Sequence, residues 1–167
     1  MRCRYAAGFT MTVMFLLAMA GCGGSGVNST HSGTSAVLKL STVGTATTLS
    51  GIQLTVTLPA DVTVNAVNGV PAIGVVTAIG GIVSDSTISA RYIPATTTGG
   101  SAQLVIVLAS STNFTTGEFA AIRCDVGPSA IATFGSSSFT SANFSNAKVV
   151  DGNGATISDV SFAVSLI

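Results

Sequence analysis

The sequence contains no tryptophan, and its 167 residues include only six basic and six acidic side chains. Charged residues make up 7% of the chain, against about 25% in an average soluble protein. That balance leaves no basic patch to contact phosphates, which argues against nucleic-acid binding. It does not indicate disorder either, because hydrophobic residues reach 47% and disordered chains combine low hydrophobicity with high charge. Gly, Ser, Thr, Ala and Val fill the gap. A polar, low-charge chain rich in Thr and Val fits an extracellular β-protein, since β-branched side chains suit a pleated, half-buried surface. One ordinary domain fits the length.

Histidine is almost absent as well. The only one, His31, lies in "GGSGVNSTHSGTS", residues 23–35, a Gly/Ser-rich stretch with no fixed geometry. The rest of the chain therefore has no imidazole for general-base or metal-ligand duty, and no Ser–His arrangement exists. Most of the six acidic residues fall at turns or strand ends. No catalytic residue and no cofactor are expected, and the chain reads as a non-enzyme.

The longest apolar run is short and N-terminal. "MRCRYAAGFTMTVMFLLAMAGC" starts with Arg2 and Arg4 and turns apolar up to Ala20. A basic region, a short apolar region and small residues at the end make a secretory signal, too short for a comfortable membrane span. Its end, "LAMAGC", resembles a bacterial lipobox, with Met19 where Leu is preferred and Ala20 and Gly21 as expected. The resemblance implies a signal peptide over residues 1–21 and lipidation of Cys22. The other reading is an ordinary signal peptide cut near Ala20, with Cys22 incidental. Acyl chains on Cys22 would hold the protein to the membrane at about 0.8 kcal/mol per buried CH₂. The expected location is therefore outside the cytoplasm, lipid-anchored to the cell envelope. Gly23 after the cysteine resembles outer-membrane sorting where two membranes exist. The tether that follows spans about 20 Å as a random coil.

From Ala36 onward the pattern has period two. In "GIQLTVTL", Ile52, Leu54, Val56 and Leu58 share one face. "DVTVNAV" repeats this with Val62, Val64 and Ala66, and "SFAVSL" with Phe162, Val164 and Leu166. Such alternation indicates antiparallel strands with one face on a core. "QLVIVLA", residues 103–109, is continuously apolar and predicts a central strand covered on both sides. Turn signals separate these runs: "LPAD", "VNGVP", "TTTGG", "SSTNFTTG", "VGPSA" and "DGNG". No stretch has a sustained 3.6-residue period. The prediction is an all-β fold over residues 36–167. It is an antiparallel, jelly-roll-like β-sandwich of about eight or nine strands.

The densest group of reactive side chains is "GEFAAIRCDVG", residues 117–127. Period two places Ala120, Ile122, Cys124 and Val126 on one face, and Phe119, Ala121, Arg123 and Asp125 on the other. Cys124 then points into the core as a small hydrophobe, without the exposure and basic neighbour a nucleophilic thiol needs. With Cys3 in the signal and Cys22 acylated, it has no disulfide partner. Arg123 and Asp125 face away and are placed to pair across the sheet.

Three further groups are candidates. Arg91 and Tyr92, in "SARYIPATTTGG", read as an exposed recognition pair, because both types are enriched at binding hot spots; the alternative is an ordinary strand end. In "DGNGATISD", Asp151 and Asn153 match the first two ligand positions of a calcium loop. Ala155 breaks that spacing, and a tight turn is the preferred reading. Phe139 and Phe144, in "SSSFTSANFSNA", are assigned to the core.

Several segments together resemble a known family. They are "LKLST", "LPADVTVNAV", "GEFAAIRCDV" and "NAKVVDGNGATISDVSFAVSL". Residues 36–167 resemble the cellulosomal cohesin domain and its relatives in the carbohydrate-binding-module superfamily. Cohesins commonly carry a Tyr-Asp-Pro-like turn where this chain has Leu58-Pro59-Ala60-Asp61. The resemblance implies a nine-stranded jelly roll that binds through one sheet face, and involvement in polysaccharide-related or surface assemblies. Three functions follow as expectations. The first is a membrane-anchored module binding a protein partner, dockerin-like or another envelope component. The second is a carbohydrate-binding module that binds polysaccharide. The third is a structural subunit of an envelope assembly whose C-terminal strand pairs with a neighbour's edge. The absence of Trp weighs against a sugar platform, leaving Tyr92 as the only Tyr outside the signal.

Overall fold

The computed structural model describes residues 34–82 and 85–167. The signal segment, Cys22 and His31 lie outside the described residues. Eleven strands follow in chain order: β1 (Thr34–Val43), β2 (Leu49–Thr57), β3 (Val62–Thr63), β4 (Ala66–Val67), β5 (Val70–Pro71), β6 (Val76–Ala78), β7 (Ser86–Ile93), β8 (Gln103–Phe114), β9 (Gly117–Val126), β10 (Phe144–Val150) and β11 (Ser161–Leu166). This exceeds the eight or nine expected because four of them are two or three residues long, and "DVTVNAV", expected as one strand, is split into β3 and β4.

All pairings are antiparallel. The first sheet has the order β11-β1-β9-β3, with β6 also on β9. The second has the order β10-β2-β8-β7, and β4 and β5 form a small separate hairpin. The chain passes repeatedly between the sheets, which face each other across one apolar core. From the first sheet come Leu38, Leu40, Ile122 and Val126; from the second come Leu54, Val56, Leu104, Ile106 and Leu108, none more than 2% exposed. Phe139 and Phe144 pack against this core as expected. Phe144 stands 5.9 Å from Phe162 across the sandwich and Phe139 stands 6.1 Å from Phe134.

Local chemistry accounts for the turns. Asn68 and Gly69 both adopt positive φ, 52° and 79°, the backbone of a type I′ turn, and "VNGV" is the sequence that turn demands. It closes the β4–β5 hairpin through the Val67–Val70 pair.

Three positions depart from simple alternation. The run at residues 103–109 is indeed central, between β2 and β7. Only one of its faces is covered: Leu104, Ile106 and Leu108 are buried, whereas Val107 is 42% exposed. Phe119, expected on the outer face, is buried. The cause is a β-bulge: Leu40 pairs with Ala120 and Ser41 with Glu118, which leaves Phe119 as the extra residue. A bulge lets two successive side chains face the same way, and Phe119 turns inward with Ala120 to meet Phe162 edge-on at 6.2 Å. Thr55, on the polar face of β2, is 4% exposed. Its hydroxyl accepts a hydrogen bond from Asn146 Nδ2 at 3.4 Å, so β10 covers it.

Phe119 is therefore a core anchor. Phe119→Ala is expected to lower unfolding stability by about 3–5 kcal/mol, measured by chemical denaturation. Val107→Thr, on the uncovered face of β8, should change it by less than about 0.5 kcal/mol.

Candidate functional site

The outer face of the second sheet carries no ion pair among the described residues, and no layer packs over it apart from Asn146 on Thr55. Its rows follow from the registers. Val150, Gly51, Ala109 and Thr87 form one row; Lys148, Gln53, Val107 and Ser89 form the next. Thr55, Val105 and Arg91 form a third, and Thr57, Gln103 and Ile93 a fourth. The rows mix small and β-branched side chains with Gln53 and Gln103. Gly51 and Ala109 leave a shallow hollow of about 240 Å³. A side chain at position 51 would fill it and meet Val150 Cγ2 at 2.9 Å.

Electrostatically the face is one-signed. Lys148 on β10 and Arg91 on β7 stand exposed on its opposite edge strands, and neither has an ion-pair partner among the described residues. The rows contain no acidic residue. Asp85 and Asp151 lie beyond the first row, at one end. The outer face of the first sheet differs: Lys39 pairs with Glu118 at 3.0 Å, and Arg123 and Asp125 stand exposed. The cross-strand ion pair thus forms at Lys39 and Glu118, not at Arg123 or Asp125, whose neighbours on β1 are Val37 and Ser35.

Arg91 and Tyr92, expected as an exposed pair, lie on opposite faces of β7. Arg91 sits opposite Val105 on the outer face, but Tyr92 sits opposite Leu104 and packs against the core. Adjacent strand residues point to opposite faces. Burial raises the Tyr92 hydroxyl above its ordinary pKa, a backbone hydrogen bond with Val64 opposes this, and Cys124 adds to the rise. None of the described aromatic rings is among the exposed large hydrophobic side chains.

Asp151 and Asn153 build a turn. The Asp151 Oδ1 atom accepts hydrogen bonds from the backbone N–H of Asn153 and Ala155, both at 2.9 Å. Gly154 N–H closes onto the Asp151 carbonyl at 3.0 Å. This is an Asx turn, in which the carboxylate already serves the backbone. The strands it separates, β10 and β11, belong to different sheets, so the turn ends a bridge between Val150 and Thr156. Among the described residues, no three His, Cys, Asp or Glu side chains cluster around a common point.

Cys124 is free and buried, 1% exposed. Burial, with a smaller contribution from the Asp125 charge, pushes its thiol up to about 12. A thiolate is therefore scarce at neutral pH, and the thiol is inert. The outer face of the second sheet has no reactive group either. What it offers is an uncharged surface of mixed apolar and polar side chains bordered by two cations. The adjacent outward positions on β8 were the clue in the sequence, hidden because residues 103–109 are apolar on both faces.

Compared with protein-family models, curated proteins and solved structures, the chain has no significant match among any of the three.

The Cys124 environment makes a testable claim. Its thiol should resist Ellman's reagent in the native state and react on unfolding. Unfolded, it ionises near its ordinary 9.0; folded, near 12. The unfolded state thus loses this proton first. The thiol's contribution to stability is full below pH 9 and is lost as pH rises towards 12. Denaturation curves across that window should fall more steeply for the native chain than for Cys124→Ala.

Proposed function

We propose that this chain is a lipid-anchored module of the cell envelope that binds a protein partner through the outer face of its second sheet. The observation that carries the reading is the contrast between the two outer faces. The first pairs or alternates its charges. The second sets Val105, Val107 and Ala109 on β8 beside the uncharged Gln53, Thr55 and Thr57 on β2, with one cation on each edge strand. Uncharged surfaces that mix apolar and polar groups suit protein contact, and two cations without ion-pair partners among the described residues favour an acidic partner and faster encounter. The lipobox-like "LAMAGC" and the Gly/Ser tether support anchoring at Cys22. The cohesin-like segments support binding through a sheet face, in a polysaccharide-related or other surface assembly. Direct sugar binding is the lesser reading, because Tyr92 packs inward and the described aromatic rings offer no exposed platform.

The test is capture followed by charge reversal. The sandwich, residues 34–167, which carries the core residues named above, can be immobilised and exposed to native envelope and secreted extract. A protein should be retained. Arg91→Glu with Lys148→Glu should weaken its binding at least about tenfold, as expected for about 1.4 kcal/mol. Arg123→Glu, on the other sheet, should leave it within about twofold. Equal loss from both faces, or retention of polysaccharide alone, would overturn the reading.

A further inference from the structure

A sheet edge is a row of unpaired N–H and C=O groups, and proteins usually blunt such edges. Three of the four edges here are blunted. The β3 and β6 edge is broken into pieces of two and three residues. The β7 edge is capped by the β4–β5 hairpin, whose Gly69 carbonyl accepts the Tyr92 N–H at 2.8 Å. The β10 edge carries a register shift between Ser145 and Lys148 and the exposed Lys148 itself. Its far end is bonded through Ile157 N–H to the Val149 carbonyl at 2.9 Å.

The fourth edge, β11, has none of these devices. "SFAVSL" contains no charge, no proline, no glycine and no bulge. Its hydrogen-bonding direction follows from its end. Ile167 N–H donates to the Val37 carbonyl at 3.0 Å, which makes Leu38–Leu166 a non-hydrogen-bonded pair in the antiparallel ladder. By alternation, Ser161, Ala163 and Ser165 bond to β1. The N–H and C=O groups of Phe162, Val164 and Leu166 therefore point outward. The 3₁₀ turn Ser136–Ser138 lies beside β11 but takes none of these bonds.

We propose that this edge is a self-association site. Two copies pair β11 with β11 in antiparallel fashion about Val164, fusing their first sheets into one. The strand is complementary to itself in this register. Val164 meets its own counterpart, and Phe162 meets Leu166 on the core side. Ala163 meets Ser165 on the outer side. All six outward backbone groups are satisfied, and no charges are opposed. A closed two-fold dimer also consumes the edge, whereas a one-sided addition would leave a new one. The inference is independent of the proposed binding face, which lies on the other sheet and stays open in both copies. The dimer would be bivalent, with avidity gains on the order of 10²–10⁴ for a partner that both faces can engage.

Sedimentation of residues 34–167, from micromolar to millimolar concentration, tests this. A reversible monomer–dimer equilibrium is expected. Val164→Pro should abolish it and leave the fold intact, since the removed N–H faces away from β1 and proline is tolerated at such positions. A wild-type chain that stays monomeric throughout, or a folded proline variant that dimerises as well as wild type, overturns the proposal. Should the proline variant unfold, amide exchange on the wild-type chain decides. Exchange of the Val164 amide should slow at least tenfold as concentration rises, and an exchange rate independent of concentration overturns the proposal.

Discussion

The constraint on which the rest of this protein depends is register. The two inner faces carry almost nothing but Leu, Ile, Val, Phe and Ala. A slip of one residue in any strand would turn its inner set to water and bring Thr, Gln or Arg into the core. Burying such groups without partners would cost several times what a single packing contact contributes. The inner faces are therefore closed to variation. The bulge at Phe119 is how the chain keeps that rule while adding a ring: one extra residue in β9 gains a core aromatic without moving Ile122, Cys124 and Val126 off their face.

With the inside committed, chemistry can differ only on the outer faces, the edges and the loops. The two outer faces have diverged. The first uses charge, with a Lys39–Glu118 pair and the exposed Arg123 and Asp125. The second uses almost none, and its two cations stand apart on opposite edge strands. An ion pair at the surface contributes little to stability, so neither pattern is needed for the fold. That is why the contrast carries a functional reading. A surface that neither stabilises the sandwich nor neutralises its own cations is suited to a partner that does both.

Much of the architecture was legible because period two is a local property. Ile52, Leu54, Val56 and Leu58, and the inward direction of Cys124, could be read directly. What could not be read depended on pairing. The outward turn of Val107 requires knowing that nothing packs above β8, and an apolar run is the same string whether one face is covered or two. The inward turn of Phe119 requires the register against β1. Tyr92 was within reach of local reasoning: it adjoins Arg91 on a strand, so the two had to face opposite ways once the strand was placed. The proposed binding face could not be assembled beforehand, because Lys148 and Arg91 lie on strands separated in the sheet by β2 and β8.

The open edge and the low charge have one origin. Among the described residues only Lys39, Arg91, Arg123 and Lys148 are cationic, and charge, above all lysine, is a common guard of a sheet edge. Two of those four stand on the edge strands β7 and β10, where they also border the proposed binding face. None is left for β11. That strand is held instead from its own side of the core, where Phe162 lies between Phe119 and Phe144, so it is firmly seated without its outer edge being closed. A chain this poor in charge can guard an edge by shortening it, by covering it or by pairing it. It shortens the β3 and β6 edge and covers much of the β7 and β10 edges. For an uncharged strand of six residues without a bulge, pairing is the solution proposed above.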